Sequence, residues 1–343
     1  MKAVAKTKRE AGIEVIETRP DPISDDGVQL SMRSASICGS DLGFYKFTAA
    51  FQSFAKIPVI MGHEFAGEVK QIGKNVRGFA PGDRVVSESV IYCGSCRYCR
   101  SGMTNICKNF TVFGMQRNGG FSEEVSVYPN LLHRVPDAVS FQEAGIVEPL
   151  TVAINGTEQI PEIGVGKSAI VVGPGPIGLL SAEVLRLRGV TDITVMGLSV
   201  DRSRLELAAK LGFRAMDWEK ENPRESLMSV TDGYGADIIV VTSASSQGLK
   251  SALPLVAKGG QVVLVGIIPE EVSLPVADLV RRQVAVLGSY GSRWEHYEQA
   301  IAVLAQHKVR AESIITHKFA LDEADEAFEA AMSKVGCKVQ FRA

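Results

Sequence analysis

The sequence predicts an α/β protein with an irregular, β-rich domain and a second domain built on a doubly wound parallel sheet. Residues 1 to about 150 contain short strand-like runs separated by turns, such as 28–32, 65–69 and 84–86, with no helical rhythm between them. From about 165 to 290, apolar strand-like runs alternate with helical patterns, as in βαβ units. A glycine-rich turn at 173–178 joins the first of those strands to its helix.

The second region supplies most of the predicted regular elements. Its candidate strands are 169–172, 193–196, 237–242, 261–265 and 284–287. Its candidate helices are 176–188, 202–211, 223–230 and 247–257, with Asp201 and Asn222 as N-caps. After residue 290 the patterns predict helices at 295–307 and 323–332 and strands at 314–319 and 338–341. These are too few for a third domain, so we expect the chain to return to the first.

The glycine-rich turn has the spacing of a dinucleotide-binding fingerprint. Gly173 allows a tight turn, Gly175 lets the backbone approach a pyrophosphate, and Gly178 lets helix and strand pack closely. Pro176 suits the first turn of a helix, whose N-terminus attracts phosphate charge. The alternative is an ordinary tight turn, but the strand before it and the helix after it favour a dinucleotide site.

Composition limits the classes of function. The 343 residues are long enough for two domains with separate cores. A net charge of −2 gives no electrostatic case for nucleic acid or an anionic membrane as partner. No apolar run reaches the roughly 18 residues of a membrane span. The N-terminus has no signal-peptide core, so we expect a cytoplasmic protein.

Four of the six cysteines are closely spaced, as Cys-x2-Cys-x2-Cys-x7-Cys. Four thiolates at this spacing can close a tetrahedral site with no open position, which predicts a structural zinc ion. Unrelated buried cysteines and an iron–sulfur cluster are the alternatives. A zinc ribbon on nucleic acid is a third, although the net charge argues against it. The four residues are Cys93, Cys96, Cys99 and Cys107.

A second candidate metal site is scattered along the first 150 residues. Cys38, His63 and Glu148 offer a thiolate, an imidazole and a carboxylate, a set that can hold zinc with a position left for substrate. Spacing alone does not establish this site, because each residue type is also common in purely structural positions.

Taken together, these pieces resemble the zinc-dependent medium-chain alcohol dehydrogenases, in the branch of polyol (sorbitol) and threonine dehydrogenases. The resemblance covers essentially the whole chain. It implies a GroES-like catalytic domain of residues 1–155 and 291–343, with a Rossmann domain of residues 156–290 inserted. The matching segments are 38–41, 62–67, 73–85, the four-cysteine segment, 119–123, 148–150 and 173–178.

The resemblance also implies the roles of site residues. Cys38, His63 and Glu148 bind a catalytic zinc ion (Zn2+), and Glu64 enters its shell at some stage. Zinc lowers the pKa of the substrate hydroxyl, and a hydride passes to the nicotinamide across the interdomain cleft. Ser40 is expected to relay the proton, its alternative being a turn-capping hydroxyl. Where family members often carry a histidine, this chain has Gly43, so the proton exit through water or coenzyme ribose stays open.

The identity of the coenzyme is open between NADP and NAD. An NAD site usually carries an acid at the end of the second strand, and none stands at 197–199. Arg202 and Arg204 favour a bound 2′-phosphate, and hence NADP, unless they are plain helix-surface charges. Further candidate coenzyme contacts are Ile177, Ser199, Thr242, Gly266 and Ser289.

We therefore expect an oxidoreductase that interconverts a secondary alcohol and a ketone on a polyol, sugar or cyclitol-like substrate. Sorbitol itself is not secured, because Gly291 stands about where sorbitol dehydrogenases place an arginine, and Arg293 is either its substitute or a surface charge. The alternatives are an enzyme like L-threonine 3-dehydrogenase, a simple secondary alcohol dehydrogenase, a non-catalytic zinc protein and a nucleic-acid-binding protein. The resemblance implies a homodimer or homotetramer, with 261–277 as candidate interface. Five aromatic residues line the pocket or belong to the core: Phe44, Tyr45, Phe47, Phe113 and Trp294.

Overall fold

The structure, a computed structural model, describes residues 1–342. Its strands are β1 (Lys2–Lys6), β2 (Glu14–Glu17), β3 (Val28–Ser36), β4 (Val59–Ile60), β5 (Glu64–Ile72), β6 (Arg84–Ser87), β7 (Val90–Ile91), β8 (Thr111–Val112), β9 (Glu124–Val127), β10 (Leu132–Arg134), β11 (Ser168–Val172), β12 (Asp192–Gly197), β13 (Arg214–Asp217), β14 (Ala236–Val241), β15 (Val256–Leu264), β16 (Ala285–Gly288), β17 (Ile315–Phe319) and β18 (Lys338–Arg342). Its helices are α1 (Gly39–Tyr45), α2 (Ala49–Phe54), α3 (Arg97–Arg100), α4 (Phe141–Ala144), α5 (Val147–Glu158), α6 (Pro176–Leu187), α7 (Arg202–Lys210), α8 (Pro223–Val230), α9 (Ser246–Ala252), α10 (Val276–Arg282), α11 (Trp294–Ala305) and α12 (Ala324–Met332). None of the helices in this part of the chain is long and apolar enough to cross a membrane.

The described residues divide into two compact units. The first contains residues 1–151, 292–307 and 311–342, and the second contains 152–291 and 308–310. Residues 152–155, assigned to the first domain from the sequence, group with the second unit. Within that unit the Asn155 side-chain amide donates to the carbonyls of Gly291, at 2.8 Å, and Tyr290, at 3.3 Å.

The first unit is built on a seven-stranded sheet in the order β10-β6-β5-β3-β18-β17, with β9 also paired to β3. A separate three-stranded sheet has the order β2-β1-β4. Strand β3 pairs antiparallel with both β5 and β18, so that Glu64, Ser36 and Gln340 stand in one row across three strands. This register brings the start of β5 close to the start of β18, which matters for the metal site below.

The second unit is a six-stranded, fully parallel sheet in the order β13-β12-β11-β14-β15-β16. The order reverses at β11, as in a doubly wound fold, which confirms the predicted fold class. Strand β11 is buried on both faces because helices cover both sides of such a sheet. Ligands of these folds bind at the carboxyl ends of the strands beside this switch point, where residue 173 begins the glycine turn.

Some predicted elements differ from the structure. The helix predicted at 247–257 ends at Ala252, because Pro254 has no N–H to continue it and a short 3-10 turn follows at Leu253–Leu255. Asn222 caps α8, as predicted: its side-chain oxygen accepts hydrogen bonds from the backbone N–H groups of Arg224 and Glu225. Asp201 stands at the start of α7, but its carboxylate accepts from the Leu198 N–H instead. Strand β13 and helices α5 and α10 were not predicted.

Candidate active site and metal centres

Three potential zinc ligands converge in the first unit. Cys38 lies at the N-cap of α1, His63 directly precedes β5, and Glu64 is the first residue of that strand. One ligand atom from each lies within 4.8 Å of the others. His63 and Glu64 are buried, whereas Cys38 is partly accessible. The start of α1 and the start of β5 thus bring a thiolate, an imidazole and a carboxylate close together.

A buried aspartate orients two of these ligands. Asp41, fully buried in the first turn of α1, accepts the Cys38 N–H through Oδ2 at 2.9 Å. Its Oδ1 lies 3.5 Å from Nδ1 of His63. Because the carboxylate accompanies Nδ1, Nε2 is the nitrogen available to a metal. Although burial opposes protonation, Asp41 and Cys38 hold the pKa of His63 well above its usual range.

A buried lysine pairs with the third ligand. The Lys338 ammonium, on β18, contacts Oε2 of Glu64 and donates to the Ile37 carbonyl at 3.2 Å. Both charged side chains are at most 2% exposed. Burial, with the charge of Glu148, raises the pKa of Glu64 to about 7, while Lys338 and His63 oppose this rise. The ion pair with Lys338 therefore offsets part of the effect of burial, and the net shift of the Glu64 pKa is still upward.

These residues fit a catalytic zinc ion. Thiolate, imidazole and carboxylate are the donor types that zinc takes, and three protein ligands leave a position for substrate. Oε1 of Glu64 is buried and has no hydrogen-bond partner in the described chain, as expected of a ligand atom awaiting a cation.

Glu148, predicted as a ligand, lies outside this group of three. It stands in the first turn of α5 and is buried, and its Oε1 accepts from Ser89 Oγ at 2.8 Å. It is still near enough to raise the pKa of Glu64 by its charge. The structure thus brings Cys38, His63 and Glu64 together and holds Glu148 beside them, so its role as a ligand stays a prediction.

The four-cysteine segment forms a second cluster. Its four sulfur atoms lie within 4.8 Å of one another, and none of the four forms a disulfide in the described chain. Contacts of 3.5 to 3.9 Å join Cys107 to Cys93 and Cys96, and Cys96 to Cys99. Such spacings match the edge of a tetrahedron with bonds of about 2.3 Å, and they are far longer than a disulfide of about 2.05 Å. Hydrogen bonds from Ser95 lower the pKa of Cys93 to about 6, which favours the thiolate.

The glycine turn of the second unit has the geometry that its spacing predicts. Gly173 has φ +108°, a conformation that other residues rarely adopt. A Cβ on Gly178 would lie 1.9 Å from the Gly173 carbonyl oxygen, whereas one on Gly175 would meet no atom within 4 Å. Pro176 begins α6, as predicted. Open space at Gly175, next to a helix N-terminus, suits a pyrophosphate.

The other coenzyme candidates stand at the carboxyl edge of the same sheet. Thr242 Oγ1 donates to the Val172 carbonyl at 3.0 Å and so also holds the glycine turn. Gly266 and Ser289 follow β15 and β16, and Ile177 lies in the first turn of α6. Ser199 Oγ donates to Asp217 at 2.7 Å, a contact that the sequence did not predict.

The remaining sequence candidates fall into several settings. Phe44 and Phe113 are fully buried in the first core, whereas Trp294 is 52% exposed. The guanidinium of Arg202 bonds Glu206. Arg293, at the N-cap of α11, pairs with Glu295 in the first turn of that helix. Sequence reasoning assigned no role to Asp41, Ser89, Asp217 or Lys338. Only Asp41 had a local signal, because it lies in the same short segment as Cys38.

Comparison with known proteins decides the family. Residues 24–137 match the alcohol dehydrogenase GroES-like domain, and residues 176–306 match the zinc-binding dehydrogenase domain. A sorbitol dehydrogenase of Halalkalibacterium halodurans is 33% identical over 99% of this chain and 98% of its own length. The chain belongs to the zinc-binding alcohol dehydrogenase family.

Other relatives of this dehydrogenase agree with that assignment. An L-threonine 3-dehydrogenase of Serratia proteamaculans is 31% identical over 99% of this dehydrogenase and 98% of its own length. A zinc-binding dehydrogenase from Sinorhizobium meliloti, solved with bound NADP, matches with a TM-score of 0.90 at 26% identity, covering 100% of this chain and 99% of that one. The predicted family, the enzyme class and the requirement for zinc and NAD(P) are thereby confirmed.

Proposed function

We propose that this dehydrogenase interconverts a secondary alcohol and a ketone on a polyol, sugar or cyclitol-like substrate. The observation that carries the proposal is the group of Cys38, His63 and Glu64, whose ligand atoms lie within 4.8 Å of one another. Identity of 33% to a sorbitol dehydrogenase over nearly the full length supports the polyol class.

The residues of the chain divide the chemistry between them. Cys38, His63 and Glu64 would hold zinc, with Glu148 as a further candidate ligand. Bound zinc supplies Lewis-acid polarisation of the substrate oxygen. The Asp41 carboxylate lies 3.5 Å from Nδ1 of His63, which leaves Nε2 for the metal. The hydroxyl of the substrate must lose a proton before its carbon can give up a hydride.

Ser40 is positioned to take that proton. Its Oγ lies 3.3 Å from Nε2 of His63, and its side chain is only half-buried. A hydroxyl can accept one proton while it donates another, so Ser40 can pass the substrate proton outward. At position 43 a Cβ would lie 2.7 Å from the Phe51 ring, so a histidine has no room there unless Phe51 moves. The route beyond Ser40 therefore uses water or coenzyme ribose in this proposal.

The test is a substrate panel. Zinc-loaded enzyme is offered polyols, sugar alcohols, cyclitols, L-threonine and simple secondary alcohols, each with NAD and with NADP, and the formation of reduced nicotinamide is followed. We expect the highest kcat/KM with a member of the first three groups. L-Threonine is the second candidate, since a threonine dehydrogenase is 31% identical to this chain. Turnover of simple alcohols alone would contradict the proposal.

We further propose a homodimer or homotetramer. Strand β16 lies at an edge of the six-stranded sheet, and Ile267, Val276 and Val280 are 64 to 70% exposed in the same unit. The start of the predicted interface is an exception, because residues 261–263 are buried in β15. A solution mass equal to one chain would contradict this proposal. The predicted cytoplasmic location stays a prediction.

A further inference from the structure

The end of β12 departs from an ordinary NAD site, and the structure gives the reason. An acid at the end of the second strand normally binds the ribose diol of NAD. Here that position is Gly197, and a Cβ on it would lie 2.8 Å from Cγ and 2.9 Å from Cδ of Pro174. Pro174 belongs to the glycine turn, so its ring occupies the space that any side chain at position 197 needs. The acid is therefore sterically excluded from its usual strand.

The neighbouring strand supplies a carboxylate instead. Gly197 and Asp217 are aligned partners in the parallel pair of β12 and β13. Asp217 Oδ2 accepts from Ser199 Oγ at 2.7 Å. Burial would raise the pKa of Asp217, but hydrogen bonds from Lys220 and Ser199 outweigh burial and keep its pKa below the ordinary range. The group is thus a charged carboxylate on the neighbouring strand, directly opposite the position where the missing acid would stand.

A second carboxylate accepts a hydrogen bond from the other donor group of Ser199. The Ser199 N–H donates to Glu219 Oε2 at 2.8 Å. Both hydrogen-bond donors of Ser199 are therefore engaged by acids. A 2′-phosphate would bring a charge of about −2 to a place where these donors are already used and two negative charges stand. A neutral ribose hydroxyl, in contrast, can donate to either carboxylate.

The nearby cations do not reverse this balance. Lys220 Nζ lies 2.9 Å from Asp217 Oδ2 and is already paired with it. Arg202 bonds Glu206 one turn along α7, with its side chain 79% exposed. Arg204 lies in the same helix, half-buried. Lys220 and Arg202 are thus each paired with an acid, Asp217 and Glu206 respectively.

We propose that Asp217 and Glu219 are specificity-determining residues that make this dehydrogenase prefer NAD to NADP. They bind the ribose diol through carboxylates from β13 and the turn after it, in place of the acid that Pro174 excludes from β12. This inference rests on one part of the proposed function, namely that a dinucleotide binds at the glycine turn.

Coenzyme binding tests this without turnover. The zinc-loaded, full-length enzyme is titrated with NADH and with NADPH, and the dissociation constants are read from nicotinamide fluorescence. We expect NADH to bind about tenfold or more tightly than NADPH, because like charges at the 2′ position oppose binding. In Asp217→Asn and in Glu219→Gln, the ratio of the NADPH to the NADH dissociation constant should fall severalfold. Glu219 is exposed, so its variant tests the inference even if the change at Asp217 disturbs the fold.

Glu221→Gln is the matched control. Glu221 is an exposed acid two residues from Glu219 and does not contact Ser199. Its substitution by glutamine therefore removes the same charge as Glu219→Gln. Its ratio should stay at the wild-type value. NADPH binding as tight as NADH, or equal effects of Glu219→Gln and Glu221→Gln, would overturn the inference. If the enzyme still oxidises a member of the substrate panel after either of these results, the proposed function stands. If neither coenzyme binds, both are overturned.

Discussion

The buried ion pair between Lys338 and Glu64 gives the sharpest prediction about stability. Its two charged side chains are 2% and 1% exposed, so solvent screens the pair little. In Lys338→Met the carboxylate of Glu64 loses its counter-charge while it stays buried. Removal of one partner of such a pair lowers the free energy of unfolding by about 3–5 kcal/mol. We expect a loss of this size above the Glu64 pKa of about 7, measured by urea unfolding with circular dichroism after a chelator has removed zinc from the Cys38 site, because bound zinc would itself supply a counter-charge to Glu64.

The double variant separates charge from packing. Adding Glu64→Gln to Lys338→Met removes the unpaired charge, so most of the lost stability should return. Lys318→Met is the control, because Lys318 is an exposed lysine on β17, the strand next to β18. Its effect should stay within about 0.5 kcal/mol, as for ordinary surface changes. The reasoning is refuted if Lys338→Met is no more destabilising than Lys318→Met, or if the double variant recovers nothing.

Further variants test the geometry of the metal and coenzyme sites. His63→Ala should abolish turnover but leave the far-ultraviolet circular dichroism spectrum unchanged, whereas Cys96→Ser should lower both the zinc content and the Tm. Gly178→Ala should lower the Tm and weaken NADH binding, since its Cβ would overlap the Gly173 carbonyl at 1.9 Å. Gly175→Ala should weaken NADH binding with the Tm unchanged, because its Cβ meets no protein atom. Ser40→Ala should lower kcat about 10²-fold or more, with Ser40→Thr restoring part of it; unchanged kcat in Ser40→Ala would remove the relay role.

The features that were predictable from the sequence depend on residues close together in the chain. The four cysteines span one short segment, so their spacing alone indicates a closed metal site. The glycine turn is equally local, and strand, turn and helix follow one another directly. The alternation of strands and helices in the second unit also predicts a parallel sheet, because each element shows its own periodicity.

The features that were missed depend on contacts between distant segments. Lys338 reaches Glu64 only because β18 and β5 both pair with β3, a register that no local pattern encodes. Asp217 reaches Ser199 only through the pairing of β12 with β13, a strand that the sequence did not predict. The end of the helix predicted at 247–257 was wrong for a local reason, because Pro254 has no N–H with which to continue the helix.

The most direct test of the account compares wild-type enzyme with Cys38→Ser in one experiment. Zinc content is measured for both proteins, and both are assayed with the best alcohol of the panel and its coenzyme. We expect wild type to hold two zinc ions per chain and to reduce the coenzyme, and Cys38→Ser to keep the ion of the four-cysteine cluster and to show no turnover. Equal turnover by Cys38→Ser would contradict the assignment of the active site to Cys38, His63 and Glu64.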